Sequence, residues 1–468
     1  MGQNGLVSNL SSQPLSPLDG RYQSQVAPLG EYLSEAGLNR ARVQVEIEWL
    51  IFLVQHDPLG IGKELSEEEL GKLRSIYQDF SDADVAAIKE IEATTRHDVK
   101  AIEYFIREQL AKLGRQDLNE LVHFACTSED INNLSYAITV RDSFDNVWIP
   151  AMRQLIEKLR GLAISLADSA MLSRTHGQPA TPTTMGKELA VFVQRLQRQM
   201  LRVDAQPLLG KFSGATGTFA AHVAAAPDAD WPALNEEFLG VLGIQFNPLT
   251  TQIESHDWQS ELFQKVMHIN GILHNLATDI WTYISLNYFK QIPVKGATGS
   301  STMPHKVNPI RFENAEANLE LSTAVLGSLA QTLITSRMQR DLTDSSAQRN
   351  IGVGVGHSLL AIDNITRGLD EIAINEAALL TDLLENWEVL GEAIQTAIRA
   401  DVARGLSTIE DPYALLKELT RGKRVGQEEL LAFIANLELP QKTKDRLMQL
   451  KPQTYTGLAS ELVKRIQP

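Results

Sequence analysis

The 468-residue chain has a single cysteine, Cys126, so no intrachain disulfide framework and no thiolate zinc cluster can form. That usage fits a reducing cytoplasm, and Cys126, which precedes Thr127-Ser128, either lines a site or, as the preferred reading, is a small buried hydrophobe. No stretch approaches about 18 uninterrupted apolar residues, which argues against a membrane-spanning helix. The opening MGQNGLVSNLSSQPLSPLDGRY lacks a basic segment followed by an apolar core, so no secretory signal is expected. Positive charge is scarce: 43 Lys and Arg stand against 58 Asp and Glu, a formal net charge of -15. This balance opposes nucleic-acid binding, which draws on basic patches. A few cations focused in a cleft can still hold a small anion.

Several familiar spacings are also missing. No HExxH or other metal-ligand spacing occurs, and no Gly-x-x-x-x-Gly-Lys-Ser/Thr phosphate cradle. Gly352-Val353-Gly354-Val355-Gly356 follows no strand signal, so it reads as a flexible helix start rather than half of a dinucleotide fingerprint. No metal and no cofactor are expected. Strand alternation is sparse as well; Phe212 to Gly217 reads at most as a short turn or ribbon.

What the chain does have is helical spacing over long distances. Ile131, Leu134, Ile138, Phe144, Trp148, Met152, Leu155, Leu159, Leu162 and Leu166 form one run, interrupted only by Pro150. Further runs cover Thr184 to Asp204, His256 to Phe289, Asn308 to beyond Leu333, and Gly354 to Ile374. A 35-residue helix is roughly 50 Å long. Helices of that length with an apolar stripe point to an extended bundle whose core is shared between subunits. Shorter helical patterns flank this middle, which predicts an all-α chain of three parts: 1–115, a long-helix bundle at 116–364, and 365–468.

Polar segments sit at the ends of these runs. In Thr94-Thr95-Arg96-His97-Asp98, Asp98 either orients the ring of His97 or pairs with Arg96. In His123 to Asp130, Thr127 reads as a helix cap, and its hydroxyl with that of Ser128 could hold an anion at the positive helix end. His176 lies between Thr175 and Gly177-Gln178-Pro179, a rigid loop without apolar periodicity. Arg340, Ser345 and Arg349 form either a solvated connector or a phosphate grip. Finally, GSSTMPHKVNP at 299–309 opens a helix with Asn308 as cap and Pro309 at its first position. Capping leaves Ser300, Ser301, His305 and Lys306 unexplained. A serine acts as a base only where cations or a helix N-terminus stabilise its alkoxide, and Lys306 with the following helix offers both.

The stretch GSSTMPHKVNP resembles the signature of the fumarase/aspartase superfamily. DGRY at 19–22, TTRHDVKAIEYF at 94–105, HFACTSEDINN at 123–133, SRTHGQPATPTTMGKE at 173–188, QRDLTDSSAQRN at 339–350 and TRGKRV at 420–425 resemble its adenylosuccinate lyase branch. The resemblance implies a three-domain all-helical homotetramer with active sites shared between subunits. It implies β-elimination of fumarate from adenylosuccinate, giving AMP, and from succinylaminoimidazolecarboxamide ribotide. On it, Ser300 is the general base and His176 the general acid, with Glu313 orienting His176. Lys306 and Asn308 bind the succinyl carboxylate and stabilise the intermediate, while Thr127 and Ser128 hold a carboxylate. Arg21, Tyr22, Arg96, His97, Asp98, His123, Gln252, Arg340, Ser345 and Arg349 surround the nucleotide. Histidine ordinarily titrates near pH 6.5, so proton donation calls for nearby negative charge, which a phosphate and carboxylates supply. Ser300 and Ser301 are alternatives for the base. Argininosuccinate lyase and fumarase share the loop but have no use for a phosphate site. A catalytically dead scaffold would not need Ser300, His176 and Lys306 together.

Overall fold

The computed structural model describes residues 14–293, 303, 305–420 and 425–466. Ser300, Ser301 and the basic turn at 421–424 lie outside them. The chain begins with α1 (Gln23–Leu33), α2 (Glu35–His56), α3 (Glu67–Gln78), α4 (Asp82–Thr95) and α5 (Asp98–Lys112). The middle carries α6 (Ser128–Ser143), α7 (Ile149–Ser165), α8 (Met185–Asp204), α9 (Ala220–Ala225), α10 (Trp231–Val241), α11 (Asp257–Ser285) and α12 (Ile310–Thr332). After these come α13 (Thr343–Gln348), α14 (Ile351–Asp370), α15 (Glu376–Leu384) and α16 (Gly391–Ala403). The described tail adds α17 (Pro412–Thr420), α18 (Gln427–Asn436), α19 (Gln441–Met448) and α20 (Ala459–Val463). Among the described residues the strands form three two-stranded pairs: β1 (Ala170–Thr175) with β2 (Gln178–Thr184), β3 (Leu209–Gly210) with β4 (Gln245–Phe246), and β5 (Phe289–Gln291) with β6 (Ile372–Ile374). The fold is all-α, and no described helix is long and apolar enough to cross a membrane.

The chain divides into two compact units: 1–152 with 199–271 and 317–363, and 153–198 with 272–316 and 364–468. In the first unit α2 is buried nearly all round, from Val43 to Val54, as befits a helix enclosed by others. Ser34 caps it by accepting the Gly37 N–H at 3.1 Å. Trp49 stacks on Phe52 and meets Phe212, Trp231 and Phe238 at tilted angles, with centroids 4.6 Å apart for Phe212. Its indole N–H donates to the Phe124 carbonyl at 3.0 Å, so this core fixes the backbone of the 123–126 segment. In the second unit, Trp387, Leu390, Ile394, Ile398, Leu430, Ile434 and Leu447 form one core, and Leu172, Leu383 and Val389 a smaller one.

Several sequence expectations change. The helical run through Pro150 is not broken there: a π-helical turn at Phe144–Trp148 leads straight into α7, placing irregular hydrogen bonding beside the residue that lacks a donor. α12 starts at Ile310 instead of Asn308, because Asn308 and Pro309 form the preceding turn and the Ile310 N–H donates to the Asn308 carbonyl at 2.8 Å. Phe212 to Gly217, in contrast, does hold the short turn expected of it, the Gly217 N–H donating to the Gly214 carbonyl at 3.3 Å, and no ribbon. Gly352 to Gly356 is helical and closely packed, not flexible: a Cβ on Gly354 would lie 2.6 Å from Leu326 Cδ2. Cys126 is half-buried, donates to the Phe124 carbonyl at 3.3 Å, and burial pushes its thiol pKa up.

Candidate active site

Within the first unit, the N-terminus of α6 organises the polar segments. Asp130, fully buried, accepts the Thr127 N–H at 2.8 Å, closing the helix start. It also accepts the backbone N–H groups of Ser213 at 3.0 Å and Gly214 at 3.1 Å, and pairs with Lys211 at 2.9 Å. Lys211, equally buried, donates to the Gly214 carbonyl at 2.8 Å. The loop after Lys211 is thereby tied to the helix end that presents Thr127 and Ser128, both half-buried.

The next residue, Glu129, faces inward. Its carboxylate accepts from Asn132 and pairs with Arg340, each at 2.8 Å. Arg340 also donates to Ser345 at 3.0 Å and Gln252 at 3.4 Å, and Gln252 donates to the Ala215 carbonyl at 3.0 Å. Burial raises the Glu129 pKa, with the Arg340 charge opposing. Asp344 carries this network on to the buried His256, 3.4 Å from its Nε2. Arg340 and Ser345 are therefore tied into a paired network and are no solvated connector, whereas Arg349 is exposed. Arg349 pairs with Glu35 at 3.2 Å and Asp98 at 3.3 Å.

Asp98 meets Arg42 at 2.8 Å as well, so its partners are Arg42 and Arg349, not Arg96. Burial would raise its pKa, but the two guanidiniums and the Val99 N–H lower it below the usual carboxylate value. His97 caps α5 by accepting the Lys100 N–H at 3.2 Å, with Asp98 only 3.8 Å away. Arg96 is exposed at the end of α4, and the Arg21 guanidinium lies 5.9 Å from the Tyr22 ring centroid. His123 is clamped by Glu46, which accepts its backbone N–H at 2.9 Å and pairs with Nδ1 at 2.6 Å. Burial opposes the charged ring, but the Glu46 and Glu103 carboxylates outweigh it and raise the pKa.

The second unit holds His176, Lys306, Asn308 and Glu313. β1 and β2 pair with Thr175 opposite Gln178, leaving His176-Gly177 as a two-residue turn. Both have positive φ, 54° and 73°, as the hairpin turn that matches strand twist demands. Asn and Gly are usual there; His with Gly is the variant found. His176 and Lys306 are exposed, and Asn308 is half-buried before α12. Glu313 accepts the Trp281 indole N–H at 3.1 Å; among the described residues no hydrogen bond or ion pair joins it to His176.

Glu46, Lys211, His256 and Asp344 are not marked as site residues by the sequence, and Glu129 and Asp130 read there only as the acids of a helix start capped by Thr127. Their signal is weak, because a charge at a helix start reads as a dipole partner and Lys211 stands alone among small and apolar residues. In the structure, Arg96, His123, Ala125, His176 and His256 share a left-handed backbone with positive φ.

The family model described as Lyase matches residues 20–327, and the one described as Adenylosuccinate lyase C-terminal matches 336–456. The chain is 48% identical over 454 residues to adenylosuccinate lyase of Escherichia coli strain K12, covering 97% of this chain and 98% of that one. It is 48% identical to the adenylosuccinate lyase of Haemophilus influenzae, at 97% and 98% coverage. The fold is also found in fumarate lyase from Mesorhizobium sp. BNC1, with TM-score 0.73, 18% identity and coverage of 94% and 97%. A 3-carboxy-cis,cis-muconate lactonizing enzyme from Pseudomonas putida gives TM-score 0.69 at 20% identity, with coverage of 94% and 96%. The chain is a lyase and belongs to the adenylosuccinate lyase family.

Proposed function

We propose that the chain eliminates fumarate from adenylosuccinate, yielding AMP, and from succinylaminoimidazolecarboxamide ribotide, yielding aminoimidazolecarboxamide ribotide, in cytoplasmic purine biosynthesis. The observation that carries this reading is the likeness to adenylosuccinate lyases over 97% of the chain. Ser300 takes the proton from the succinyl carbon, Lys306 and Asn308 stabilise the negative charge that spreads onto the adjacent carboxylate, and the C–N bond then breaks. His176, oriented by Glu313, protonates the departing nitrogen. Thr127 and Ser128 hold a carboxylate at the start of α6. Arg21, Tyr22, Arg96, His97, Asp98, His123, Gln252, Arg340, Ser345 and Arg349 surround the nucleotide, with Arg340, Ser345 and Arg349 toward its phosphate.

We further propose a homotetramer of three-domain chains, divided at 1–115, 116–364 and 365–468, in which each site draws residues from different copies. Exposed apolar side chains on the long helices support association: Ile164, Val191, Trp281, Ile310 and Leu321.

The direct test is fumarate release by the purified protein from adenylosuccinate, with argininosuccinate and malate run in parallel. Release from adenylosuccinate alone supports the assignment; a well-folded protein that releases none from any of the three sinks it. Ser300→Ala is expected to abolish turnover while still binding substrate, and robust turnover would move the base to Ser301 or elsewhere. Mixing inactive His176→Asn with inactive Ser300→Ala protein restores partial activity if copies share sites; no recovery after verified subunit exchange removes that part.

A further inference from the structure

A two-stranded hairpin is marginal alone, yet β1–β2 must hold a side chain at its tip in a reactive position. Its base is secured: Leu172 packs with Leu383 of α15 and with Val389, and Ser169 donates to Glu376 at 2.6 Å. Thr175 to Pro179 are exposed, so the apolar anchor ends short of the turn. One side chain beyond that anchor reaches back. Arg174, two positions before His176, donates to the Tyr288 hydroxyl at 2.7 Å and pairs with Asp382 at 2.6 Å. Its guanidinium sits 5.7 Å from the Tyr288 ring centroid, and the Tyr288 hydroxyl in turn donates to Asp382. The result is a closed triangle in which the planar fork of an arginine is engaged on both prongs.

Tyr288 is itself fixed. Its carbonyl accepts the Asn375 N–H at 2.8 Å, and the Asn375 side chain donates to the Asn287 carbonyl at 2.9 Å. The triangle borders a cleft of about 560 Å³, lined also by Lys290, Thr381 and Glu385. The Tyr288 ring is buried and stacks on Tyr283 with centroids 6.1 Å apart, so packing rests on the ring, whereas its hydroxyl, Arg174 and Asp382 supply the polar clasp.

We propose that Arg174, Tyr288 and Asp382 act as a clasp that positions the His176 turn, so that α15 sets the aim of the proton donor; this rests on reading His176 as the general acid. These are positioning residues, which act through His176. A misplacement of about 1 Å can cost on the order of 100-fold in rate, so loosening the clasp is a kinetic defect before it is a folding defect.

The test uses Asp382→Asn and Tyr288→Phe in the full chain, each also combined with His176→Asn. The expected result is a kcat lower by about 10- to 100-fold with KM for adenylosuccinate changed less than about twofold. In the His176→Asn background, neither substitution lowers the residual kcat further, because the group they aim is gone. Wild-type kcat in both single variants overturns the clasp, as do losses that multiply undiminished in that background. Should Asp382→Asn fail to fold, Tyr288→Phe, which keeps the ring, decides by the same criteria. His176→Asn with full activity would instead sink the reading of His176 as acid, whereas an inactive His176→Asn beside fully active clasp variants sinks the clasp alone.

Discussion

The residues proposed to bind substrate in the first unit and those proposed to react in the second are held in opposite ways. Around α6, charges are matched, and most are at least partly buried: Asp130 with Lys211, Glu129 with Arg340, and Asp98 with the buried Arg42 and the exposed Arg349. His176 and Lys306 instead sit exposed, one on a hairpin turn and the other on the approach to α12. A set of cations that must receive an anion without collapsing gains from preorganised partners, which hold each guanidinium in place before the ligand arrives. Groups that must move protons gain from access. Stability and turnover are thus expected to separate between the two regions.

The most severe break should come from the buried pair. Lys211→Met leaves Asp130 without its cation and is expected to destabilise the fold by about 3–5 kcal/mol in chemical denaturation. A loss below about 1 kcal/mol would mean the backbone N–H groups alone satisfy Asp130. Next is an acid dependence. His222 is fully buried against the rings of Trp49, Phe219 and Trp231, and burial pushes its pKa down to about 4. The unfolded chain binds this proton near pH 6.5 and the folded chain only near 4, so stability is full above about pH 6.5 and falls as pH drops toward 4. The difference is on the order of 3 kcal/mol at most. His222→Phe should flatten that fall, and an unchanged profile would assign it to other groups.

Arg340→Ala sharpens the contrast within the binding region itself. It is expected to raise KM for adenylosuccinate about tenfold or more, and to lower stability by about 1–3 kcal/mol because Glu129 stays buried and unpaired. An unchanged KM would remove Arg340 from the phosphate site. At the small end, Lys306→Ala should shift stability by less than about 0.5 kcal/mol while kcat collapses. Equal damage to both would mean that the exposed region is structural after all.

The helices were legible because packing writes itself into spacing: Val43, Glu46, Trp49, Leu50 and Leu53 lie on α2, and the Ser66 to Glu69 start forms a reciprocal cap in which the Ser66 N–H donates to Glu69 at 2.9 Å. The hairpin was not legible. AMLSRT and QPATPTT show no clean alternation, two prolines occur in β2, and only the base is buried. The loop residues were found as candidates through their chemistry and their resemblance to a known pattern. Their partners were not, since Glu129 and Lys211 declare themselves only once the fold brings distant segments together.

The left-handed backbone at His176 also shapes what mutation can do there. Asn and Asp adopt that conformation at least as readily as His, whereas β-branched or bulky replacements strain the turn. A lineage can therefore lose the histidine proposed as proton donor while keeping the hairpin intact, and on that proposal a folded but silent descendant lies a single substitution away.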